Sequence, residues 1–153
     1  MTKVHYVKKA RKDNPAVKKG ESYWWWQFYR RSKQFSKTKP TRSQSTASEF
    51  LSTVYGIEDQ GLCAIETPQE IEDIITEIEE LSDQTQDSLD NMPEGLQEGD
   101  VGILLQERID YLEQWRSEIE AIAEQYEDDW DDKSEDDKQS FIDDISSTSY
   151  EGE

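Results

Sequence analysis

The sequence predicts an α+β protein: a small N-terminal three-stranded antiparallel sheet with a short helix, then a long, coiled-coil-like antiparallel helical hairpin and an acidic C-terminal tail. Aromatic residues concentrated in residues 22–30 are typical of strands. Apolar residues at helical spacing between 71 and 126 predict two helices. The predicted divisions are 1–57 (sheet and helix), 58–66 (connector), 67–130 (helical hairpin) and 131–153 (acidic, partly disordered tail).

The strands are predicted over residues 3–9, 22–30 and 33–38, which leaves Arg31-Ser32 as a two-residue turn. Such a turn pairs Trp24 with Lys39 and Phe28 with Phe35 on one face. The connection lacks the Asn-Gly or Gly that two-residue turns favour, so a longer loop stays open as an alternative. A longer loop or a bulge would exchange the two faces.

A short helix is predicted over residues 46–57, after a Ser/Thr-rich linker at 36–48. Phe50, Leu51, Val54 and Tyr55 share one face of it, which could cover one side of the sheet.

A capping box predicts the start of the helical hairpin: Thr67-Pro68-Gln69-Glu70, with proline at the first helical position. Its two apolar registers mirror each other about the breakers Pro93, Gly95 and Gly99. Thr85 and Arg108 fall opposite each other and predict one polar layer. Since the seam is narrow, the hairpin is expected to dimerise or to pack on other parts. The predicted interface residues are Ile71, Ile74, Ile78, Leu81, Leu105, Arg108, Leu112, Trp115, Ile119 and Ile122.

Charge divides the chain sharply. Residues 1–43 hold 13 Lys/Arg and 2 Asp/Glu, a net charge of +11, whereas residues 44–153 hold 4 Lys/Arg and 34 Asp/Glu, a net charge of −30. Such a division indicates two different roles, or a basic head masked by its own acidic body.

Several function classes find no support. The chain shows no P-loop, no HExxH motif, no nucleophile elbow and no glycine-rich dinucleotide loop, so no catalytic residue is assigned and an enzyme is not expected. With one histidine (His5) and one cysteine (Cys63, expected to be buried), neither a disulfide nor a zinc site is expected, and no cofactor or metal is assigned. No apolar run approaches the ~20 residues of a membrane span, which favours a cytoplasmic protein without a membrane partner.

The basic aromatic hairpin is the candidate binding site. Aromatic rings can stack on bases while lysines and arginines contact phosphates. Two other interpretations stay open: large side chains that merely build a tiny core, and a protein interface. The candidate nucleic-acid-binding residues are Trp24, Trp26, Phe28, Arg30, Arg31, Lys33, Phe35, Lys37, Lys39 and Arg42.

Residues 20–39, GESYWWWQFYRRSKQFSKTK, resemble the three-stranded arm-type DNA-binding domains of phage tyrosine recombinases. The resemblance covers about the first 55 residues and implies a sheet, packed on a helix, that faces DNA. The remainder does not resemble a recombinase catalytic domain, so integrase activity is not implied. Two further stretches, SKTKPTRSQSTASEFLSTVYGIED and SLDNMPEGLQEGDVGILLQERIDYLEQW, resemble small uncharacterised phage and prophage proteins, which implies a mobile-element origin.

The leading hypothesis is therefore a non-enzymatic phage accessory protein. Its basic head would bind nucleic acid, DNA before RNA, and its helical hairpin would form a homodimer or recruit a host or phage protein. The alternative is an acidic interaction module, either an inhibitor of a host nucleic-acid-handling machine or a structural adaptor, that does not bind nucleic acid.

Overall fold

The computed structural model describes residues 2–153 and divides the chain into two compact units, Met1–Gly56 and Ile57–Glu153. The first, here called the N-terminal unit, contains the sheet, and the second, the C-terminal unit, is helical. The predicted α+β class is confirmed. Within residues 2–153, no helix has both the length and the apolar character needed to cross a membrane.

The sheet consists of β1 (Val4–Val7), β2 (Tyr23–Gln27) and β3 (Lys33–Ser36) in the order β1-β2-β3, with both pairs antiparallel. Aromatic and β-branched residues favour this pleated, half-buried environment. Across β1 and β2, His5 pairs with Trp25 and Val4 with Trp26.

The register of β2 against β3 differs from the two-residue-turn prediction, which was wrong. Trp24 pairs with Ser36 and Gln27 with Lys33, so residues 28–32 form the connection. The turn inside it closes when the Arg31 N–H donates to the Phe28 carbonyl (3.0 Å), and Arg30 takes a left-handed conformation with φ of 56°. No glycine or asparagine is present to form a two-residue turn, and the longer loop exchanges the faces that β3 presents.

Two short helices follow the sheet. The first, α1 (Arg42–Ser45), occupies part of the predicted linker because Thr41 and Gln44 form a capping box. The second, α2 (Glu49–Gly56), confirms the predicted short helix and buries Val54 completely. The Ser52 hydroxyl donates to the Ser43 carbonyl (2.9 Å) and joins the two helices.

The C-terminal unit opens with an irregular helical segment, residues 57–64, and a 3₁₀ turn at Pro68–Glu70. Three long or medium helices follow with one short one between them: α3 (Ile71–Asp90), α4 (Glu94–Gln97), α5 (Asp100–Glu127) and α6 (Glu135–Ser147). The Thr67 capping box is present, and α3 and α5 form the predicted helical hairpin. The predicted connector contributes Leu62 and Ile65 to the core, whereas Cys63 is exposed, contrary to expectation.

The interface between α3 and α5 is partly as predicted. Ile71, Ile74, Ile78, Leu81, Leu112, Trp115 and Ile119 are buried. On α5, however, Ile109 and Ala123 are buried, while Leu105, Arg108 and Ile122 are only half-buried. The α5 helix packs against α6 as well as α3, so its buried stripe is wider than a two-helix seam.

The predicted polar layer is also wrong in its pairing. The buried Thr85 hydroxyl donates to the Leu81 carbonyl of its own helix (2.7 Å), and Arg108 Nε donates to the Glu153 carbonyl (2.8 Å). Arg108 is therefore bonded to the chain's last residue.

Residues 135–150, predicted as part of an acidic, partly disordered tail, contain α6 and several buried side chains. Phe141 and Ile145 of α6 are fully buried, and the Phe141 ring lies 5.1 Å from that of Trp130. Beyond the helix, the Trp115 indole N–H donates to the Thr148 hydroxyl (3.3 Å), and Tyr150 is 9% exposed. The acids lie mostly on the exposed positions of an amphipathic helix whose N-terminus is capped by Ser134.

Candidate nucleic-acid interface

The N-terminal unit is strongly cationic at its surface. Residues 1–56 carry 13 Lys/Arg against 3 Asp/Glu, a net charge of +10, and all 13 basic residues are exposed. Two of the three acids accept backbone hydrogen bonds in the loop between β1 and β2: Asp13 Oδ1 from the Lys19 N–H (2.7 Å) and Glu21 Oε2 from the Lys18 N–H (2.9 Å). The acids thus stabilise the loop that carries much of the positive charge.

That loop, residues 8–22, is ordered by its own backbone and side-chain bonds. Asn14 Oδ1 accepts from the N–H groups of Ala16 (2.9 Å) and Val17 (3.0 Å), an Asx arrangement before Pro15. Ala10 N–H donates to the Glu21 carbonyl (2.8 Å), and Ala10 and Val17 are buried. The basic side chains therefore project from a defined loop.

A cleft of about 480 Å³ lies between this loop and the edge of the sheet. Its walls combine cations, an amide and one aromatic ring, and one acid, Asp13, contributes to the lining. The cations Lys9, Arg11 and Lys12 were not among the predicted site residues; their signal in the sequence was the basic run on either side of Ala10. The lining residues are Val7, Lys9, Arg11, Lys12, Asp13, Asn14 and Tyr23.

The sheet face that includes Tyr23 adjoins the cleft, and we call it the basic aromatic face. On it, the rings of His5 and Trp25 stack at 4.3 Å with 11° between their planes. Lys33 Nζ lies 4.6 Å from the centroid of the Trp25 ring, a cation–π contact. The Trp25 ring is therefore engaged by its neighbours on both adjacent strands. The face consists of His5, Tyr23, Trp25, Lys33 and Phe35, as the strand pairing places them.

The structure separates several of the predicted site residues. Trp24 and Trp26 lie on the face opposite to Lys33 and Phe35. Trp26 is 6% exposed, so its ring is part of the core and is not a stacking surface. Trp24 is half-buried and its ring lies 4.8 Å from that of Tyr6. The predicted single surface of Trp24, Trp26, Phe28 and Phe35 is therefore wrong.

The remaining predicted cations are at the surface. Lys37 and Lys39 follow β3 and are exposed, with Lys37 Nζ at 4.0 Å from Glu21 Oε1. The Arg42 guanidinium carbon lies 4.5 Å from the centroid of the Tyr55 ring. Arg30 and Arg31 are exposed in the loop between β2 and β3, and Phe28 is half-buried there. These positions leave the charged groups accessible to phosphate.

The C-terminal unit presents the opposite surface. It carries 4 Lys/Arg against 33 Asp/Glu, a net charge of −29. Where α4 meets α5, three aliphatic side chains are exposed: Leu96 (60%), Val101 (61%) and Ile103 (51%). This end of the hairpin is tightly built, because Gln97 Nε2 donates to the Met92 carbonyl (2.9 Å) and a Cβ on Gly102 would overlap the Gln97 carbonyl. We call the three exposed side chains, Leu96, Val101 and Ile103, the aliphatic tip.

Groups with shifted acidity belong to the packing of the C-terminal unit. The pKa of Tyr126 is raised, first by its hydrogen bond to Asp144 (2.8 Å). Burial raises the pKa of Tyr150 to about 12. Residues 2–153 contain no cluster of three His, Cys, Asp or Glu residues suited to a metal ion.

Comparison with known proteins returned no matching family model, no matching curated protein and no matching solved structure.

Proposed function

We propose that the chain is a non-enzymatic accessory protein that binds nucleic acid through its N-terminal unit. One observation carries the proposal: all 13 basic residues of that unit are exposed, while Asp13 and Glu21 are bonded to the backbone of its loop. The cleft supplies Lys9, Arg11 and Lys12 as phosphate ligands. Lys33, Lys37 and Lys39 extend the positive charge along β3 and beyond it.

The resemblance to arm-type domains and to small phage proteins supports DNA as the ligand and a phage or prophage origin, with action in the host cytoplasm. The C-terminal unit would then serve in dimerisation or in the recruitment of a host or phage protein. Its aliphatic tip is the surface best suited to this second role, because exposed aliphatic groups gain free energy when a partner covers them.

Titration of labelled single-stranded DNA, double-stranded DNA and RNA by the full chain, followed by fluorescence anisotropy at several salt concentrations, tests the proposal. Phosphate contacts release counterions, so the logarithm of the association constant should fall linearly with the logarithm of salt concentration. Replacing the three cleft cations by glutamate should weaken binding to every probe and make this slope shallower.

A matched pair of charge reversals separates a local site from net charge. Lys37→Glu/Lys39→Glu and Lys18→Glu/Lys19→Glu change the net charge equally, and all four side chains are exposed. The first pair should weaken binding more than the second, because it alters the strand end next to the basic aromatic face. Equal losses would indicate a general charge effect, and the absence of binding by the unaltered chain would overturn the proposal.

The second candidate function is an acidic protein-interaction module that leaves nucleic acid unbound. The aliphatic tip favours it: Leu96, Val101 and Ile103 are more than half exposed and are surrounded in sequence by Glu94, Glu98 and Asp100. Sedimentation of the chain beside a Val101→Ser/Ile103→Ser variant tests whether the tip joins two copies. This function would be favoured if the unaltered chain bound none of the nucleic-acid probes and associated with itself, and if the variant did not self-associate.

A further inference from the structure

The loop that joins β2 and β3 carries the most exposed aromatic ring of the described chain. Tyr29 is 85% exposed, whereas the next most exposed tyrosine, Tyr6, is 54% exposed. A ring in that position contributes almost nothing to the hydrophobic core. Packing therefore accounts for Trp26 but not for Tyr29.

The same loop is ordered in spite of an unfavourable backbone conformation. The Arg31 N–H donates to the Phe28 carbonyl (3.0 Å), and Gln27 Nε2 donates to the Arg31 carbonyl (2.8 Å). Between these bonds, Arg30 has a φ of 56°, in the region that glycine and asparagine occupy most easily. Strained residues of this kind are concentrated at functional sites.

Arg30 also contacts the neighbouring aromatic side chain, Tyr29. Its guanidinium carbon lies 5.1 Å from the centroid of the Tyr29 ring. Such a cation–π contact orients the ring without burying it. Arg31 and Lys33, both exposed, stand on the C-terminal side of the ring in the same loop and strand.

The other aromatic rings of the hairpin are less accessible. Trp25 is engaged by His5 at 4.3 Å and by Lys33 at 4.6 Å, and Trp26 is buried. A base could stack on either only after their present neighbours moved. Tyr29 is 85% exposed, so a base can reach its ring while Arg30 keeps its contact with it.

We infer that Tyr29 is a stacking site for an unpaired base, with Arg30 supporting the ring and Arg31 and Lys33 contacting the adjacent phosphates. This rests on the proposed nucleic-acid binding and specifies its ligand, a single strand at the point of contact. The faces of a base inside a duplex are covered by its neighbours, whereas an unpaired base can stack on an aromatic side chain.

Three probes test the inference on the full chain: a labelled oligothymidylate, an abasic strand of the same length, and a duplex. The abasic strand keeps the phosphates and lacks the bases. The unaltered chain should bind oligothymidylate about tenfold more tightly than the abasic strand, as one stacked base allows. Tyr29→Ala should abolish that preference without changing the salt slope or the affinity for duplex, and Tyr29→Phe should keep it.

Tyr6→Ala is the matched control, because Tyr6 is the other exposed tyrosine of the N-terminal unit and lies in β1, on the face opposite to the basic aromatic face. It should leave the ratio of oligothymidylate to abasic affinity unchanged. A Tyr29→Ala variant that weakens all three probes equally, or none, would overturn the stacking site while nucleic-acid binding stands. If the unaltered chain binds no probe, the proposed function and the stacking site both fall.

Discussion

The two units of this chain are stabilised by different interactions. In the described part of the N-terminal unit, the apolar residues that are buried are Ala10, Val17, Trp26, Pro40 and Val54. In the C-terminal unit, sixteen buried apolar residues besides Pro68 form the core, among them Trp115, Phe141 and Ile145. The first unit depends heavily on hydrogen bonds from loop side chains to the backbone, and the second on apolar packing.

The difference places stability and the proposed binding in separate regions. A unit with a small core has a small free energy of unfolding, since the fraction of the surface that is buried on folding rises with the size of the domain. The N-terminal unit nevertheless exposes an aromatic ring and holds Arg30 in a left-handed conformation. The C-terminal unit tolerates a net charge of −29 because its acids lie predominantly outside a continuous core.

The largest expected effect comes from Phe141→Ala, in the segment whose composition suggests disorder. Phe141 is fully buried against Trp130 and Tyr126, so its truncation should lower the free energy of unfolding by about 3–5 kcal/mol. Urea unfolding followed by circular dichroism measures the change. Ile142→Ala is the control. Because this neighbouring side chain is only half-buried, its truncation should lower the free energy of unfolding by less. If both substitutions lowered the free energy of unfolding by the same negligible amount, α6 would not pack on α5.

A methyl group at Gly102 should have the next largest effect. Its Cβ would overlap the Gln97 carbonyl, which is fixed backbone, so Gly102→Ala should destabilise the hairpin end by about 1–3 kcal/mol. Gly95→Ala adds the same methyl group where the space is open, and it should be neutral or slightly stabilising. Thermal unfolding of the two variants distinguishes a clash from a general intolerance of change in this segment.

Alkaline pH should weaken the C-terminal unit through Tyr150. Burial raises the pKa of its phenol from 10.0 in the unfolded chain to about 12, so the folded state favours the neutral form. Its contribution is complete below pH 10.0 and is lost as the pH rises through about 12. Tyr150→Phe lacks this titration, so the stability difference between the two proteins should change over that interval. A constant difference would contradict the shifted pKa.

The smallest expected effect lies in the N-terminal unit and has the opposite sign. Arg30→Gly relieves the left-handed conformation and should raise the free energy of unfolding by up to about 1 kcal/mol, the greater freedom of unfolded glycine offsetting part of the gain. Arg31→Gly, which removes the same charge where φ is not positive, should not stabilise. Equal effects in chemical unfolding would show that Arg30 stores no strain.

Local signals in the sequence were sufficient for much of the fold. Thr67 and Glu70 predicted the start of the helical hairpin, because a capping box depends on residues three apart. Pro93 and the nearby glycines predicted where it turns. The aromatic run predicted β2, because strand preference depends on side-chain shape.

Other features depended on interactions between elements. The β2–β3 register followed from Arg30 accepting a left-handed conformation, which no local preference of arginine indicates. Phe141 and Ile145 have helical spacing, but the abundance of acids around them favoured an interpretation as a tail. Ile109 replaced Arg108 in the core because α5 contacts α6 as well as α3.

The sequence by itself determined the element types, the breaks between them and the division of charge, because helix caps, strand preference and net charge are local or additive properties. Only the tertiary structure decided which of the three tryptophans is buried, with Trp26 in the core and Trp25 between His5 and Lys33. It also brought Lys9, Arg11 and Lys12 together beside Tyr23. The physical reason is that strand register and loop closure depend on distant contacts, and a register shift by one residue exchanges every side chain between the two faces of a strand.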